Sequence, residues 1–208
     1  MNMSTLTFLN LTNNNVNLVR DMFIGLTGLT SLYTDDQRLC CSFHYTHPEA
    51  DTQCYAPENE LSSCEDLLRS IFFRVSLWIL STLSITGNIF VLVYRLFLEA
   101  KGTSVGFRVL VANLCVADFL MGVYITMIGA ADAHYSGQYL WKQETWTHST
   151  ACKVAGFLAL LSSEVSAFII CVITLDRVLV LRFPLSRHLH LSVRSVLLIC
   201  VVVWCVGV

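Results

Sequence analysis

Charge is what this chain has least of. Only 13% of its 208 residues are Asp, Glu, Lys or Arg, and 55% are hydrophobic, where a soluble domain carries about 25% charge. The shortfall points to lipid as one of its solvents and largely excludes a soluble enzyme. A basic surplus is missing as well: 13 Lys and Arg stand against 15 Asp and Glu. Little is left to neutralise phosphates, so nucleic-acid binding is not expected. Nine cysteines are too few for a disulfide miniprotein of this length. There is no glycine-rich phosphate loop and no nucleophile with a companion base. Met1 to Arg20 also lacks the continuous apolar core of a secretory signal. Either the first membrane span serves as its own insertion signal or the natural amino terminus lies upstream, and the second is the expectation.

What is present changes abruptly near Ser70. Nine acidic residues and two of the three prolines precede it, and long apolar stretches follow. Val75 to Tyr94 is twenty residues without a formal charge, enough at about 1.5 Å per residue to cross a hydrocarbon core of about 30 Å. Val109 to Ala131 contains one charge, Asp118, and Val154 to Leu175 one, Glu164. A fourth run, Ser195 to Val208, stops after fourteen residues with the chain itself. The expected fold is an all-α membrane protein truncated in its fourth span.

Lys and Arg beside short loops stay on the cytoplasmic side. The loop after span one carries Arg95, Lys101 and Arg108 against Glu99, and the loop after span three Arg177, Arg182, Arg187 and Arg194 against Asp176. Both are expected inside. The amino-terminal segment, rich in acid, and the balanced loop from Asp132 to Lys153 are expected outside. Cysteine usage agrees: Cys40, Cys41, Cys54 and Cys64 fall in the outer segment, where oxidation favours pairing, while Cys115, Cys171, Cys200 and Cys205 lie within spans. Four outer cysteines allow three connectivities. Cys152 lies at the outer mouth of span three with no outer partner in this chain. Asn2 and Asn10 head glycosylation triplets, Asn2-Met3-Ser4 and Asn10-Leu11-Thr12.

Leu6, Leu9, Leu11 and Asn14 fit L-x-x-L-x-L-x-x-N, in which a short strand points leucines inward and the Asn bonds the backbone of the turn. Phe23, Leu26, Leu29 and Leu32 continue the pattern, and Leu6 to Leu29 is 23 residues, a usual repeat spacing. One and a half such repeats cannot bury their own faces, so further repeats upstream are expected. The Cys40-Cys41 pair follows where a repeat array needs a cap.

Ionisable residues in lipid cost a few kcal/mol each by insertion scales, at about 2.5 to 3.5, so Asp118 and Glu164 should face protein or water. Around them stand Gly87-Asn88 in span one, Asn113 to Asp118 in span two, Asp176-Arg177-Val178 at the end of span three with Pro184 beyond, and Trp204 in span four. Cys152 precedes Arg177 by 25 residues, about 37 Å of helix, which places one at each interface. In this order and spacing the chain resembles the rhodopsin-like G-protein-coupled receptors. The repeat, the Cys40-Cys41 pair and Ser62 to Leu68 (SSCEDLL) before span one resemble the leucine-rich-repeat-containing group for glycoprotein hormones and relaxins. Leu120 to Tyr124 (LMGVY), Gln138-Tyr139, Trp146 and Ser162 to Ser166 (SSEVS) do so too. Within that group the likeness is to the relaxin-receptor and snail-receptor branch.

The resemblance implies residues 1–39 as the remnant of a leucine-rich repeat array, 40–70 as an extracellular Cys-rich hinge, and 71–208 as part of a seven-helix bundle with three complete spans and part of a fourth. It implies a plasma-membrane, multi-pass protein with its amino terminus outside, sensing a peptide or protein hormone and activating a heterotrimeric G protein. Asp176 and Arg177 would form the coupling switch, paired at rest and separated on activation. Asp118, Ser166 and Asn88 would form part of a sodium site, since oxygen ligands suit a hard cation; no other metal or cofactor is implied. Cys64 would pair back to Cys40 or Cys41, with Cys54 taking the other. Cys152 would bond a cysteine in the loop after span four, beyond this chain. Glu164 would hydrogen-bond within the bundle, and Tyr139 and Trp146 would brace the outer loop.

Two other readings compete. Cys40, Cys41, His44 and His47 are spaced tightly enough to ligate zinc, although cysteines facing the lumen oxidise. A repeat-bearing adhesion or scaffold protein with membrane spans but no transducer is the other, and it would have no need of Asp118 or of the Asp176-Arg177 pair.

Overall fold

The computed structural model describes residues 3–14, 16–49, 52–57, 63–98, 104–182 and 192–207. Asn2, Ser62, Glu99, Lys101, Pro184 and Arg187, all used above, lie outside them. The chain divides into two compact units, Met1–Phe73 with Ala131–Trp146, and Arg74–Ala130 with Thr147–Val208.

In the first unit three short strands, β1 (Phe8–Asn10), β2 (Ser31–Tyr33) and β3 (Gln53–Tyr55), pair in parallel in that order. Leu9, Leu32 and Cys54 are in register. A parallel ladder needs the chain to travel round and return between strands, and here it returns at the repeat spacing read from the leucines. Phe23, Leu29, Leu32, Leu39 and Phe43 are buried together, with Leu6, Leu9, Leu11 and Cys54 packed against them. Asn14 Nδ2 donates to the Thr12 carbonyl at 3.0 Å, the backbone bond the motif calls for. Gly28 is required by close approach, since a Cβ there would overlap the Ser4 carbonyl oxygen. The third strand extends the ladder into the Cys-rich segment, with a cysteine in the inward slot that leucine holds in the other two.

Helix α1 (Gln37–Thr46) lies between β2 and β3. Asp36 caps it, its Oδ1 accepting from Arg38 N at 2.9 Å. The Arg38 side chain also donates to Asp36, and this hydrogen bonding raises its pKa above the ordinary arginine value. Leu39, Cys40, Cys41, Ser42 and Phe43 are buried, so one full turn of α1 is enclosed, with Phe43 edge-on to Phe23 at 5.5 Å between ring centroids.

The second unit is helical. Helices α2 (Ile71–Val93), α3 (Val105–Tyr135) and α5 (Thr150–Arg182) are each long and apolar enough to cross a membrane, and α6 (Val193–Val206) is a shorter apolar helix. They are longer than the apolar runs and take in charged residues near their ends, among them Arg74, Arg108 and Arg177. A π-helical turn, Tyr94–Leu98, follows α2, and the short α4 (Tyr139–Thr147) lies between α3 and α5. The core is built by α3, α5 and α6 through Leu110, Ala117, Leu161, Val165, Ile169, Val196, Cys200 and Val203. Large apolar side chains such as Leu83, Phe90, Leu160, Phe168, Leu198 and Val201 stay exposed, which a helix surrounded by hydrocarbon tolerates without cost.

Helices α2 and α3 meet through small and hydroxyl residues, as membrane helices do when packing must replace the hydrophobic effect. Thr126 Oγ1 donates to Ser81 Oγ at 3.1 Å. At Gly122 an added Cβ would stand 2.8 Å from Ile85 Cγ1 and 3.0 Å from Ser84 Oγ, so glycine sets how near the helices come.

Candidate functional site

In the first unit, two disulfides are formed among the four cysteines whose pairing the sequence left open. Cys40 bonds Cys54, and Cys41 bonds Cys64. The first fastens α1 to β3, and the second fastens α1 to the segment leading into α2. Consecutive cysteines on a helix point about 100° apart, which lets one helix hold two partners. With both sulfurs used in this way, the zinc reading loses two of its four ligands. Among the described residues, no group of three or more His, Cys, Asp and Glu is placed to hold a metal ion.

The segment tethered by Cys64 is joined to the loop after α3. Asp66 Oδ1 accepts from Ser136 Oγ at 2.6 Å and from Gly137 N at 3.2 Å. Tyr139 N donates to the Glu65 carbonyl at 3.1 Å, and Leu68 N to Asp132 Oδ1 at 2.9 Å. Asp132 is 1% exposed, and burial in low dielectric strengthens the bond it accepts. Gly137 has φ +73°, in the left-handed region that glycine enters without a steric penalty. Tyr139 and Trp146 are buried. A cavity of about 360 Å³ opens between α1, this segment and α4, lined by His44, Tyr45, Glu65 and Trp141 among others. Asp66 lies in the Ser62 to Leu68 stretch, but no sequence signal ties it to Ser136 and Gly137.

Asn10 is exposed at the end of β1, its Oδ1 accepting from Thr12 N at 2.9 Å and from Thr12 Oγ1 at 2.7 Å. Cys152, a free thiol of intermediate exposure, sits in the first turn of α5, where its N donates to Ser149 Oγ at 3.1 Å.

Inside the helical unit Ser166 Oγ donates to Asp118 Oδ1 at 2.7 Å, and Ser84 Oγ to the Asp118 carbonyl at 2.7 Å. Ser166 of α5 thus reaches the carboxylate that insertion cost singles out, and Ser84 of α2 bonds the backbone of the same residue. Asn88 is one turn from Ser84 and donates its Nδ2 to the Ser84 carbonyl at 2.8 Å. It makes no hydrogen bond to Asp118 among the described residues. Trp204 Nε1 donates to Asn113 Oδ1 at 3.0 Å, tying α6 to α3. Glu164, expected to bond within the bundle, is exposed on α5.

At the far end of α5, Arg177 Nε is 3.9 Å from Asp176 Oδ2, too long for a hydrogen bond. The Arg177 guanidinium lies instead over the Phe107 ring, 3.7 Å from its centroid.

Residues 87–208 match the family described as 7 transmembrane receptor (rhodopsin family). The chain is 38% identical over 183 residues to the G-protein coupled receptor GRL101 of Lymnaea stagnalis, a match covering 88% of this chain and 16% of that protein. It is 36% identical over 154 residues to relaxin receptor 2 of Homo sapiens, covering 74% of this chain and 20% of that one. It is 38% identical over 125 residues to the lutropin-choriogonadotropic hormone receptor of Bos taurus, covering 60% of this chain and 18% of that receptor. The chain therefore spans a fifth or less of the length of these relatives.

Proposed function

Since this chain, a multi-pass membrane protein, belongs to the rhodopsin family of seven-transmembrane receptors, we propose that it works as part of a plasma-membrane receptor with its amino terminus outside. That receptor senses an extracellular peptide or protein hormone, relaxin-like or glycoprotein-hormone-like, and activates a heterotrimeric G protein. Relaxin and lutropin-choriogonadotropic receptors among its relatives support the hormone class. The observation that carries the reading is the Asp66 carboxylate holding Ser136 and Gly137. Through it, and through the Cys41 to Cys64 bridge, the repeat cap is one body with the segment entering α2 and the loop leaving α3. A ligand that displaces the cap pulls on the outer ends of two membrane helices at once. An adhesion protein without a transducer gains nothing from that linkage.

Asp118 and Ser166 offer two hard oxygens 2.7 Å apart, a donor set that fits a sodium ion. These two would hold it, with Asn88 nearby, and the ion would supply the positive charge that offsets a carboxylate within the membrane. Ser166 and Ser84 would meanwhile hold α5 and α2 to the helix of Asp118. Arg177, at the end expected to face the cytoplasm, is the group offered to the G protein.

The test is complementation. The chain is co-expressed with the later helices of human relaxin receptor 2, and nucleotide exchange is measured on a panel of purified heterotrimers. Exchange above background that Arg177→Ala removes supports the reading. A surface-expressed complex that promotes exchange on no heterotrimer overturns it.

A further inference from the structure

Asp176 is poorly placed to restrain Arg177. Neighbouring residues on a helix do not face each other, and the 3.9 Å separation leaves a contact worth little where water reaches it. Phe107 is far better placed. It lies in the first turn of α3, half-buried, and its ring centroid is 3.7 Å from the Arg177 guanidinium carbon. That is well inside the roughly 6 Å over which a cation is drawn to a ring face. Arg95, in the π-helical turn, approaches the same ring at 5.6 Å, and Arg108 Nη2 donates to the Arg95 carbonyl at 2.8 Å. Turn, ring and α5 are thus brought together by one aromatic side chain.

We infer that Phe107 is the resting-state clamp of Arg177: the ring face holds the guanidinium against the start of α3, and activation requires its release. Phe107 is a positioning residue that acts through Arg177. The inference rests on the coupling role proposed for that arginine. The arginine side chain is 44% exposed, so it is held on one side and open to a partner on the other. A ring that attracts without a formal charge gives a weak and reversible hold, one that a carboxylate on the G protein could outbid once the charges meet.

The test has two arms. In the first, the whole chain is labelled with ¹⁵N-arginine in micelles, and the Arg177 Nε–H resonance is assigned by its disappearance in Arg177→Lys. The ring current of Phe107 should shift it upfield; Phe107→Leu should return it to the position of free arginines, and Phe107→Tyr should preserve the shift. In the second, basal nucleotide exchange in the complemented receptor should rise roughly two- to fivefold in Phe107→Leu and stay unchanged in Phe107→Tyr, as one cation–π contact at a partly exposed site implies. A resonance unmoved by Phe107→Leu, or moved equally by Phe107→Tyr, overturns the clamp. A moved resonance with unchanged basal exchange overturns its control of activation. Exchange absent from every form, with the resonance behaving as expected, defeats the coupling reading and leaves the clamp standing.

Discussion

Ser166 and Asp118, 48 residues apart in the chain, share a hydrogen bond of 2.7 Å inside the helical unit. The bond joins α5 to α3 at a carboxylate that lipid alone would not tolerate. Whatever fills the remaining coordination of Asp118 therefore acts on the packing of both helices.

If that occupant is sodium, melting of the purified chain should depend on the cation. Replacing choline chloride by sodium chloride should raise the midpoint of wild type and leave Asp118→Asn unchanged. At ten times the dissociation constant the stabilisation is about 1.4 kcal/mol. Equal melting in the two salts would remove the sodium proposal.

The two disulfides close loops of different length, with separations of 14 residues for Cys40–Cys54 and 23 for Cys41–Cys64. Chain entropy assigns each about 3 kcal/mol, with the longer loop slightly ahead. The double substitution Cys41→Ala with Cys64→Ala should speed proteolysis between β3 and α2 while sparing the membrane helices. The matching pair at Cys40 and Cys54 should loosen β3. Peptide mapping of the cleavage sites tells the two apart.

Asp66→Asn keeps the shape of the side chain and removes the charge that Ser136 and Gly137 bond to. A hydrogen bond to a charged group contributes about 1.5–3 kcal/mol, so amide exchange over Ser136 to Tyr139 should accelerate by roughly tenfold or more if the region opens locally. Unchanged exchange there would show that the loop is held by Leu140 and Trp146 instead.

Gly122→Leu should force α2 from α3, because even a Cβ meets Ile85 and Ser84. Overpacking of this kind costs about 1–3 kcal/mol, read as a lower melting temperature in micelles. Gly87→Leu is the control, since a Cβ there meets nothing within 4 Å, and it should melt near wild type.

Much of this was legible along the chain. Three long apolar runs, with Asp118 and Glu164 the only charges in them, announce three spans because a bilayer demands nearly continuous apolar surface, a property of neighbouring residues. The leucines at the repeat spacing announce β1 and β2 for the same kind of reason. The third strand escaped because Cys54 holds the inward slot, and a lone cysteine carries no periodic signal. Helix α1 was obscured in the same way, its buried turn made of Cys40, Cys41 and Ser42 as much as of Leu39 and Phe43.

At the end of α5, Asp176 and Arg177 are adjacent in sequence and stand 3.9 Å apart as an ion pair, and the guanidinium also lies over the Phe107 ring, a contact that no local pattern announces. The sequence by itself determined how many segments are greasy enough to cross a membrane, which four cysteines were candidates to pair, and that Asp118 needs company. Ser166 was already grouped with Asp118 by resemblance, and only the tertiary structure decided the other partners: Ser84 for the Asp118 backbone, Ser136 and Gly137 for Asp66, Phe107 for Arg177. Composition and periodicity are recorded between near neighbours. These partnerships depend on the crossing and rotation of helices whose sequences meet only in space.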